Sequence, residues 1–137
     1  MIEVLLSIHK GHCRNILSGA KLIEIRKSYP KKDELSYYKC YLYETKADGG
    51  AGAIVGECFI NGVTPIHSNF PLPYKEWIAN KACIGLDYLI DYQKDSTVYA
   101  WNVSRVKQYN NPKLLEEFGL HKAPQSWCYI KKDQSLS

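Results

Sequence analysis

The chain mixes short stretches in which every second residue is apolar with stretches in which apolar residues recur every three or four positions. The first pattern is typical of strands and the second of helices. Strand patterns cover residues 4–8, 22–26, 37–44, 54–63, 97–109 and 127–130. Helix patterns cover residues 9–18, 74–80 and 86–93, and a short helical turn is predicted at 112–118, opened by Pro112.

Strands and helices do not alternate regularly along the chain. Five or six short strands with a few inserted helices therefore predict an α+β fold and not a parallel sheet of repeating units. Short strands avoid exposed edges by closing on themselves, so we expect a small mixed β-barrel. Glycine after residue 18 ends the first helix, and a glycine-rich segment at 47–52 predicts a turn or a mobile loop. In the helix at 86–93, Leu86, Leu89 and Ile90 are predicted to face inward.

Length and composition are those of an ordinary globular protein. The 137 residues, 45% of them hydrophobic, predict a single domain over residues 1–131 and a polar tail over 132–137. No apolar run reaches the roughly 18–20 residues that cross a bilayer, and the first residues lack the basic region of a signal peptide. These features predict a cytoplasmic protein without a membrane partner.

The positive charge is concentrated near the start of the chain. The net charge is +4, and residues 1–40 hold eight basic against four acidic side chains. A one-sided positive face favours a polyanion such as RNA. An ordinary solvated surface is the alternative.

Cysteine and histidine positions predict neither a disulfide framework nor a metal site. The five cysteines are an odd number without a C-x-x-C pair, and their apolar neighbours indicate reduced core residues. His9 and His12 have helical spacing beside Cys13, but no second ligand pair follows. Phosphate-binding and dinucleotide motifs are missing from the sequence, so no cofactor is predicted.

Three charged side chains interrupt the apolar stretch after the first helix. Lys21, Glu24 and Arg26 lie within six positions. Because strand side chains alternate between faces, Glu24 and Arg26 share one face, while Ile23 and Ile25 share the other. In one interpretation Glu24 and Arg26 pair in solvent. In the other they line a pocket, with Lys21 at the mouth of the helix–strand turn. There a carboxylate and a lysine relay protons, and Arg26 binds phosphate or a base edge.

Aromatic and hydroxyl side chains supply further candidates. The chain has eleven tyrosines and three tryptophans, and aromatic rings near basic residues stack single-stranded bases. Most of them are expected to fill the core of a small barrel. Trp101 lies in the longest strand and is predicted to shape a cleft or stack there. Ser126 stands at the entry to the last strand, as a pocket hydroxyl or an ordinary turn serine.

These motifs resemble the ASCH domain family, which has a PUA-like fold. The G-x-K-x-x-E-x-R pattern at 19–26 carries the resemblance, together with an apolar strand and helix before it and a glycine-containing strand at 54–57. The C-terminal pieces at 99–101, 106–112 and 124–129 resemble a subgroup common in bacteria and their mobile elements. The resemblance extends over most of the chain.

The resemblance implies a barrel whose cleft, beside the first helix, binds RNA or modified nucleosides. Some similar proteins are amidohydrolases that deacetylate acetylcytidine with a lysine, a threonine and a carboxylate. Lys21 matches that lysine, Glu24 occupies the threonine position and removes its hydroxyl, and Asp87 or Asp91 are the candidates for the carboxylate. Other similar proteins are ribonucleases, for which Lys21, Ser126 and a tyrosine would supply the groups.

Three hypotheses about function follow from the sequence. The first is a module that binds RNA, a nucleotide or a modified nucleoside through Lys21, Glu24, Arg26, Trp101 and Ser126. The second is a hydrolase acting on RNA or an N-acetylated nucleoside, with Lys21 as the central group and Glu24 as its partner. The third is a non-catalytic interaction domain whose charged strand forms surface ion pairs. The sequence leaves the oligomeric state open.

Overall fold

The computed structural model describes residues 1–32 and 34–131, so the predicted tail at 132–137 lies outside the described residues. Six strands and three α-helices form in this part of the chain. The strands are β1 Glu3–Ile8, β2 Ile23–Arg26, β3 Tyr37–Glu44, β4 Ala53–Ile66, β5 Val98–Lys113 and β6 Trp127–Tyr129. The helices are α1 Lys10–Leu17, α2 Leu72–Lys81 and α3 Leu86–Gln93, with 3₁₀ turns at Ala47–Gly49 and Leu115–Phe118.

All six strands belong to one mixed sheet in the order β2-β5-β4-β3-β1-β6. β1 pairs in parallel with β3, and the other neighbours pair antiparallel. The sheet curls into a half-barrel, which confirms the predicted α+β class. Helix α1 supplies the crossover that lets β1 and β3 run parallel, since it lies between them in the chain.

Strand alternation divides the apolar side chains between separate cores. Val4, Leu6 and Ile8 of β1 pack with α1 in one buried cluster, whereas Leu5 packs in another with Tyr41 of β3. A further cluster lies under α2 and α3, where Ile23 and Ile25 of β2 pack against apolar residues of both helices. The opposite face of β2, which carries Glu24 and Arg26, is left for polar contacts.

Helix α1 has clear start and stop signals. His9 caps its N-terminus, with Nδ1 accepting a hydrogen bond from the Gly11 N–H at 3.1 Å. Its C-terminus closes at Gly19, which has a φ of 87° and donates its N–H to the Ile16 carbonyl at 3.0 Å. Glycine suits this left-handed conformation because it has no Cβ, so the predicted helix stop is confirmed.

Two predictions about local structure are wrong. Pro112 does not open a helical turn, because β5 continues to Lys113 and the 3₁₀ turn starts at Leu115. Ile90 does not face inward: it is 39% exposed, and Leu89 is the buried position of that turn. None of the helices in the described part of the chain is long and apolar enough to cross a membrane.

Candidate functional site

The turn between α1 and β2 brings the charged residues to one place. After Gly19 the chain reverses, and the Lys21 N–H donates to the Asn15 carbonyl at 2.8 Å. The Leu22 N–H then donates to the Lys81 carbonyl at the end of α2, at 2.9 Å. These backbone bonds fix the direction of β2, which runs antiparallel to β5.

Lys21, Glu24 and Arg26 form a buried cluster of three charges. Lys21 Nζ lies 3.2 Å from Glu24 Oε1, and Arg26 Nε donates to Glu24 Oε2 at 2.7 Å. Only 2% of the Lys21 side chain and 7% of the Glu24 side chain are exposed. One carboxylate therefore bridges two cations, and the cluster has an excess of one positive charge. The pair of Glu24 and Arg26 is therefore not formed in solvent, and Lys21 is enclosed beside it.

Arg26 also joins the two ends of the sheet. Its Nη1 donates to Ser126 Oγ at 3.1 Å, and its Nη2 donates to the Ser7 carbonyl at 3.0 Å. β2 is one edge of the sheet, and Ser126 directly precedes β6 at the other edge. The guanidinium is thus held by three acceptors from both edges, which leaves little freedom for its orientation.

These charges line a cavity of about 280 Å³ beside α1. Its wall comes from the end of β1, from α1, from the turn before β2 and β2 itself, from α3 and from Ile84, two residues before α3. The lining residues are Ser7, Ile8, His9, His12, Lys21, Glu24, Ile25, Arg26, Ile84, Tyr88 and Tyr92. Glu24 is the one acidic residue in this lining. No second carboxylate of the lining therefore balances the positive charges of Lys21 and Arg26.

Donor groups remain at the cavity wall after these contacts. Lys21 Nζ donates to the Ala82 carbonyl and contacts Glu24, which accounts for two of its three N–H groups. Within the described residues the third N–H has no further acceptor in its reach. A ligand with a phosphate or carbonyl oxygen would supply the acceptor that this ammonium still lacks.

His12 adds a neutral ring to the same wall. Burial lowers the pKa of His12 below its ordinary value of 6.5, and the nearby positive charge of Lys21 lowers it further. Its Nδ1 is buried and has no hydrogen-bond partner among the described residues. The neighbouring His9 instead binds a loop residue, with Nε2 lying 2.7 Å from Asp48 Oδ2. The cavity therefore gains no further positive charge from His12 near neutral pH.

Two tyrosines of α3 complete the opening. Tyr88 and Tyr92 are one helical turn apart, and their rings are nearly parallel, with centroids 6.4 Å apart and planes at 8°. Tyr88 is 58% exposed, and Lys27 Nζ lies 4.9 Å from the centroid of the Tyr92 ring. Burial raises the pKa of Tyr92, so its hydroxyl stays protonated. The opening thus combines aromatic faces with a cation.

The predicted site residues do not all reach the cavity. Lys21, Glu24 and Arg26 lie together in its wall, and Ser126 joins them through Arg26. Trp101 has no exposed area, and its Nε1 donates to the Ser28 carbonyl at 3.2 Å. Because the ring is enclosed by the core, Trp101 supports the sheet behind the site and cannot stack on a ligand; that part of the prediction is wrong.

The carboxylate candidates are also placed elsewhere. Asp87 and Asp91 are exposed residues of α3 and are not part of the cavity lining. The same helix presents Tyr88 and Tyr92 to the cavity, because residues one position away on a helix point about 100° apart. The carboxylate that the amidohydrolase resemblance requires is therefore not supplied to Lys21 by α3.

Of the eleven lining residues, sequence reasoning predicted Lys21, Glu24 and Arg26 as site residues and missed the others, among them His12, Tyr88 and Tyr92. In the sequence, His12 stands out only as a possible metal ligand, since its spacing of three from His9 places both side chains on one side of a helix. Tyr88 and Tyr92 have helical spacing, which was the available signal for a shared face on α3. Their approach to β2 depends on how α3 packs, which no local pattern records.

Among residues 1–32 and 34–131, no group of three His, Cys, Asp or Glu side chains is placed to hold a metal ion.

Comparison with solved structures finds the same fold in the ASCH protein of Zymomonas mobilis. Its crystal structure matches with a TM-score of 0.77 and 16% identity, covering 98% of this chain and 91% of that chain. A variant of that protein with one serine changed to alanine matches with a TM-score of 0.78 and 17% identity, over 98% and 92%. The N-terminal domain of McrB from Staphylothermus marinus matches more distantly, with a TM-score of 0.53, 12% identity and coverage of 84% and 77%.

Sequence comparison alone gives no such match: no protein-family model matches the chain, and no curated protein is significantly similar to it. The likeness in structure shows the fold. The chain has the fold seen in the ASCH protein of Zymomonas mobilis, and its mixed sheet with helices confirms the α+β architecture that the sequence predicted. The activity of the chain is a separate question, because one fold can host many functions.

Proposed function

We propose that the cavity binds RNA, a nucleotide or a modified nucleoside. The observation that carries this proposal is the buried cluster in which Lys21 and Arg26 share the single carboxylate of Glu24. A charge removed from water needs a partner, and the unbalanced positive charge here favours an anionic or electron-rich ligand. The cavity volume of about 280 Å³ suits one nucleotide better than a larger ligand.

The opening supports a nucleic-acid ligand over an inorganic anion. Tyr88 and Tyr92 offer ring faces beside the charged wall, and single-stranded bases stack on such faces. Arg26 is a cation in the cavity lining, and Lys27, outside that lining, lies over the ring of Tyr92. Phosphate and base of one nucleotide thus have separate partners.

Calorimetric titration with a short oligouridine and with uridine monophosphate tests this proposal. Lys21→Met removes the charge while keeping most of the side-chain volume. Its affinity for both ligands is expected to fall by the equivalent of about 1.5–3 kcal/mol, the contribution of a charged hydrogen bond. Wild-type affinity is expected to decrease as salt is raised, because phosphate contacts release counterions.

Lys107→Met is the matched control. Lys107 is an exposed lysine of β5 and lines a second cavity that shares no residue with the first. Both variants lose one positive charge, so a general effect of net charge would lower both affinities equally. If the two variants and the wild type bind these ligands with equal affinity, the proposal is contradicted. The hypothesis of a non-catalytic interaction domain is then favoured.

A second candidate function is hydrolysis of RNA or of an N-acetylated nucleoside. The observation in its favour is the short distance from Lys21 Nζ to Glu24 Oε1, 3.2 Å, in a cavity that also holds neutral His12. A lysine beside a carboxylate is a pair that transfers protons or activates a nucleophile. Mass spectrometry of oligouridine and acetylcytidine after incubation tests this. Product made by the wild type and not by Lys21→Met would identify a hydrolase.

A further inference from the structure

Helix α2 carries an exposed aromatic surface outside the cavity described above; one of its rings, Tyr74, also packs edge-on against Phe70 at the border of the core. Trp77 is 54% exposed and Tyr74 is 37% exposed. Their rings are close to parallel, with centroids 6.3 Å apart and planes at 16°. Lys81 Nζ lies 5.7 Å from the centroid of the Trp77 ring. We call Tyr74, Trp77 and Lys81 the α2 platform; their spacing of three and four places them on one side of the helix.

The α2 platform ends next to the charged cavity. The Lys81 carbonyl accepts the Leu22 N–H at 2.9 Å, and the following residue, Ala82, accepts a hydrogen bond from Lys21 Nζ. Ile84, two residues further, lines the cavity. Tyr74 and Lys81 are separated by seven residues, so the platform extends about 10 Å along the helix. A chain that leaves the cavity over Lys81 meets Trp77 and then Tyr74.

We propose that the α2 platform is a second subsite, which stacks the bases next to the nucleotide held in the cavity of the same single-stranded RNA. This proposal rests on the proposed function of the cavity. Flat rings beside an ammonium match the alternation of base and phosphate along a single strand. The domain then recognises an extended strand, whereas the cavity alone would hold one nucleoside.

The chemistry of α2 favours RNA over an apolar protein partner. Glu76 and Asn80 are exposed on the same helix, so its outer surface is not continuously apolar. Lys75 is buried, with Nζ donating to the Ser68 carbonyl at 2.6 Å, so its charge does not reach this surface. The cation of the platform is Lys81, whose ammonium beside the Trp77 ring complements a phosphate next to a stacked base.

Ligand length is the variable that separates the two subsites. Uridine monophosphate and a short oligouridine are each titrated into the wild type, Trp77→Ala and Lys81→Ala. The titrations measure the affinity of each protein for the short and for the long ligand. Trp77→Ala is expected to weaken oligouridine binding about tenfold, within the range of alanine substitutions at base-stacking aromatics. Its affinity for the monophosphate is expected to match the wild type. Leu114→Ala, which removes a side chain 60% exposed beyond the end of β5, is the control and leaves both affinities unchanged.

Four outcomes decide between the proposals. Oligouridine affinity that is unchanged in Trp77→Ala and lost in Lys21→Met would overturn the platform and leave the cavity function intact. Loss in Trp77→Ala with no change in Lys21→Met would overturn the cavity function, and with it the role of the platform as a second subsite of that cavity. A wild type that binds neither ligand overturns both. A dimer seen by sedimentation that Trp77→Ala dissociates, with RNA affinity unchanged, would instead identify the platform as an interface between copies of this chain.

Discussion

Glu24 is the residue on which the charged cluster depends. Its two carboxylate oxygens are divided between Lys21 and Arg26, and all three side chains are held away from water. A buried ion pair adds little stability compared with an apolar contact, but removing one partner leaves the other charge uncompensated. The cluster therefore adds little net stability, although loss of one member is costly.

Glu24→Gln tests this at the level of one side chain. The substitution keeps the shape and leaves Lys21 and Arg26 without a counter-charge, so the free energy of unfolding is expected to fall by about 3–5 kcal/mol. Urea denaturation followed by circular dichroism measures the change. Glu116→Gln, at an exposed position of the 3₁₀ turn, is the control and is expected to stay within about 0.5 kcal/mol of the wild type. Equal, small changes in both variants would show that Glu24 is solvated.

The identity of the charged residues was predictable at this scale, and their environment was not. Lys21, Glu24 and Arg26 stand out in the sequence because an apolar strand has no need of them. Whether they lie in solvent or in a cavity depends on Ala82 and Ser126, which are 61 and 100 positions away from their partners. Strand alternation fixes a face, but it does not say what covers that face.

Single elements were predicted best where their pattern is long and self-contained. β3 at Tyr37–Glu44 and α3 at Leu86–Gln93 have the bounds that the sequence predicted. β5 was predicted too short, because a proline in an exposed strand end looks like a helix start. Beyond Gln108 this strand departs from regular pairing, with Gly56 opposite Gln108 and Ile54 opposite Lys113. β5 accommodates three more residues than β4 between these two pairs, and no periodic pattern indicates this.

Gly56 on β4 shows how closely these elements approach one another. A Cβ at this position would lie 2.6 Å from the Lys107 carbonyl oxygen and 2.8 Å from Leu17 Cδ2. Because both β5 and α1 would have to move, Gly56→Ala is expected to lower the free energy of unfolding by about 1–3 kcal/mol. Chemical denaturation measures the effect.

Gly11→Ala is the matched control for that substitution. A Cβ at Gly11 in α1 would meet only His9 Nδ1, at 3.6 Å, which is an ordinary contact. Alanine is the better helix former, so Gly11→Ala is expected to be neutral or stabilising by about 0.5–1 kcal/mol. Similar stability of the two variants would mean that α1 and β5 leave room beside Gly56.

The cysteines report on the molecule as a whole. Cys13, Cys40 and Cys58 are buried in the core beneath α1, while Cys83 and Cys128 are partly exposed. Burial raises the pKa of Cys13 to about 12. The pKa of Cys40 is raised well above its ordinary value, mainly by a hydrogen bond with Cys58 and also by burial. Thiolates, which react with alkylating agents, are therefore scarce at Cys13 and Cys40 near neutral pH.

Alkylation with iodoacetamide and peptide mass spectrometry test the integrity of this core. In native protein Cys83 is expected to react first and Cys128 more slowly, since burial raises the pKa of the Cys128 thiol. Cys13, Cys40 and Cys58 are expected to react only in denaturant. Labelling of the core cysteines at the rate of Cys83 would reveal opening of the sheet under native conditions.

The sequence by itself determined the elements, the α+β class and the chemical character of the site. Periodicity of apolar residues records local structure, and the charged positions at 21, 24 and 26 are visible without any fold. Only the tertiary structure decided that the two edges of the sheet meet at Arg26, that Trp101 is enclosed, and that Tyr88, Tyr92 and His12 face the same cavity. The physical reason is that these contacts join distant segments, whose packing is a property of the whole chain and not of any window within it.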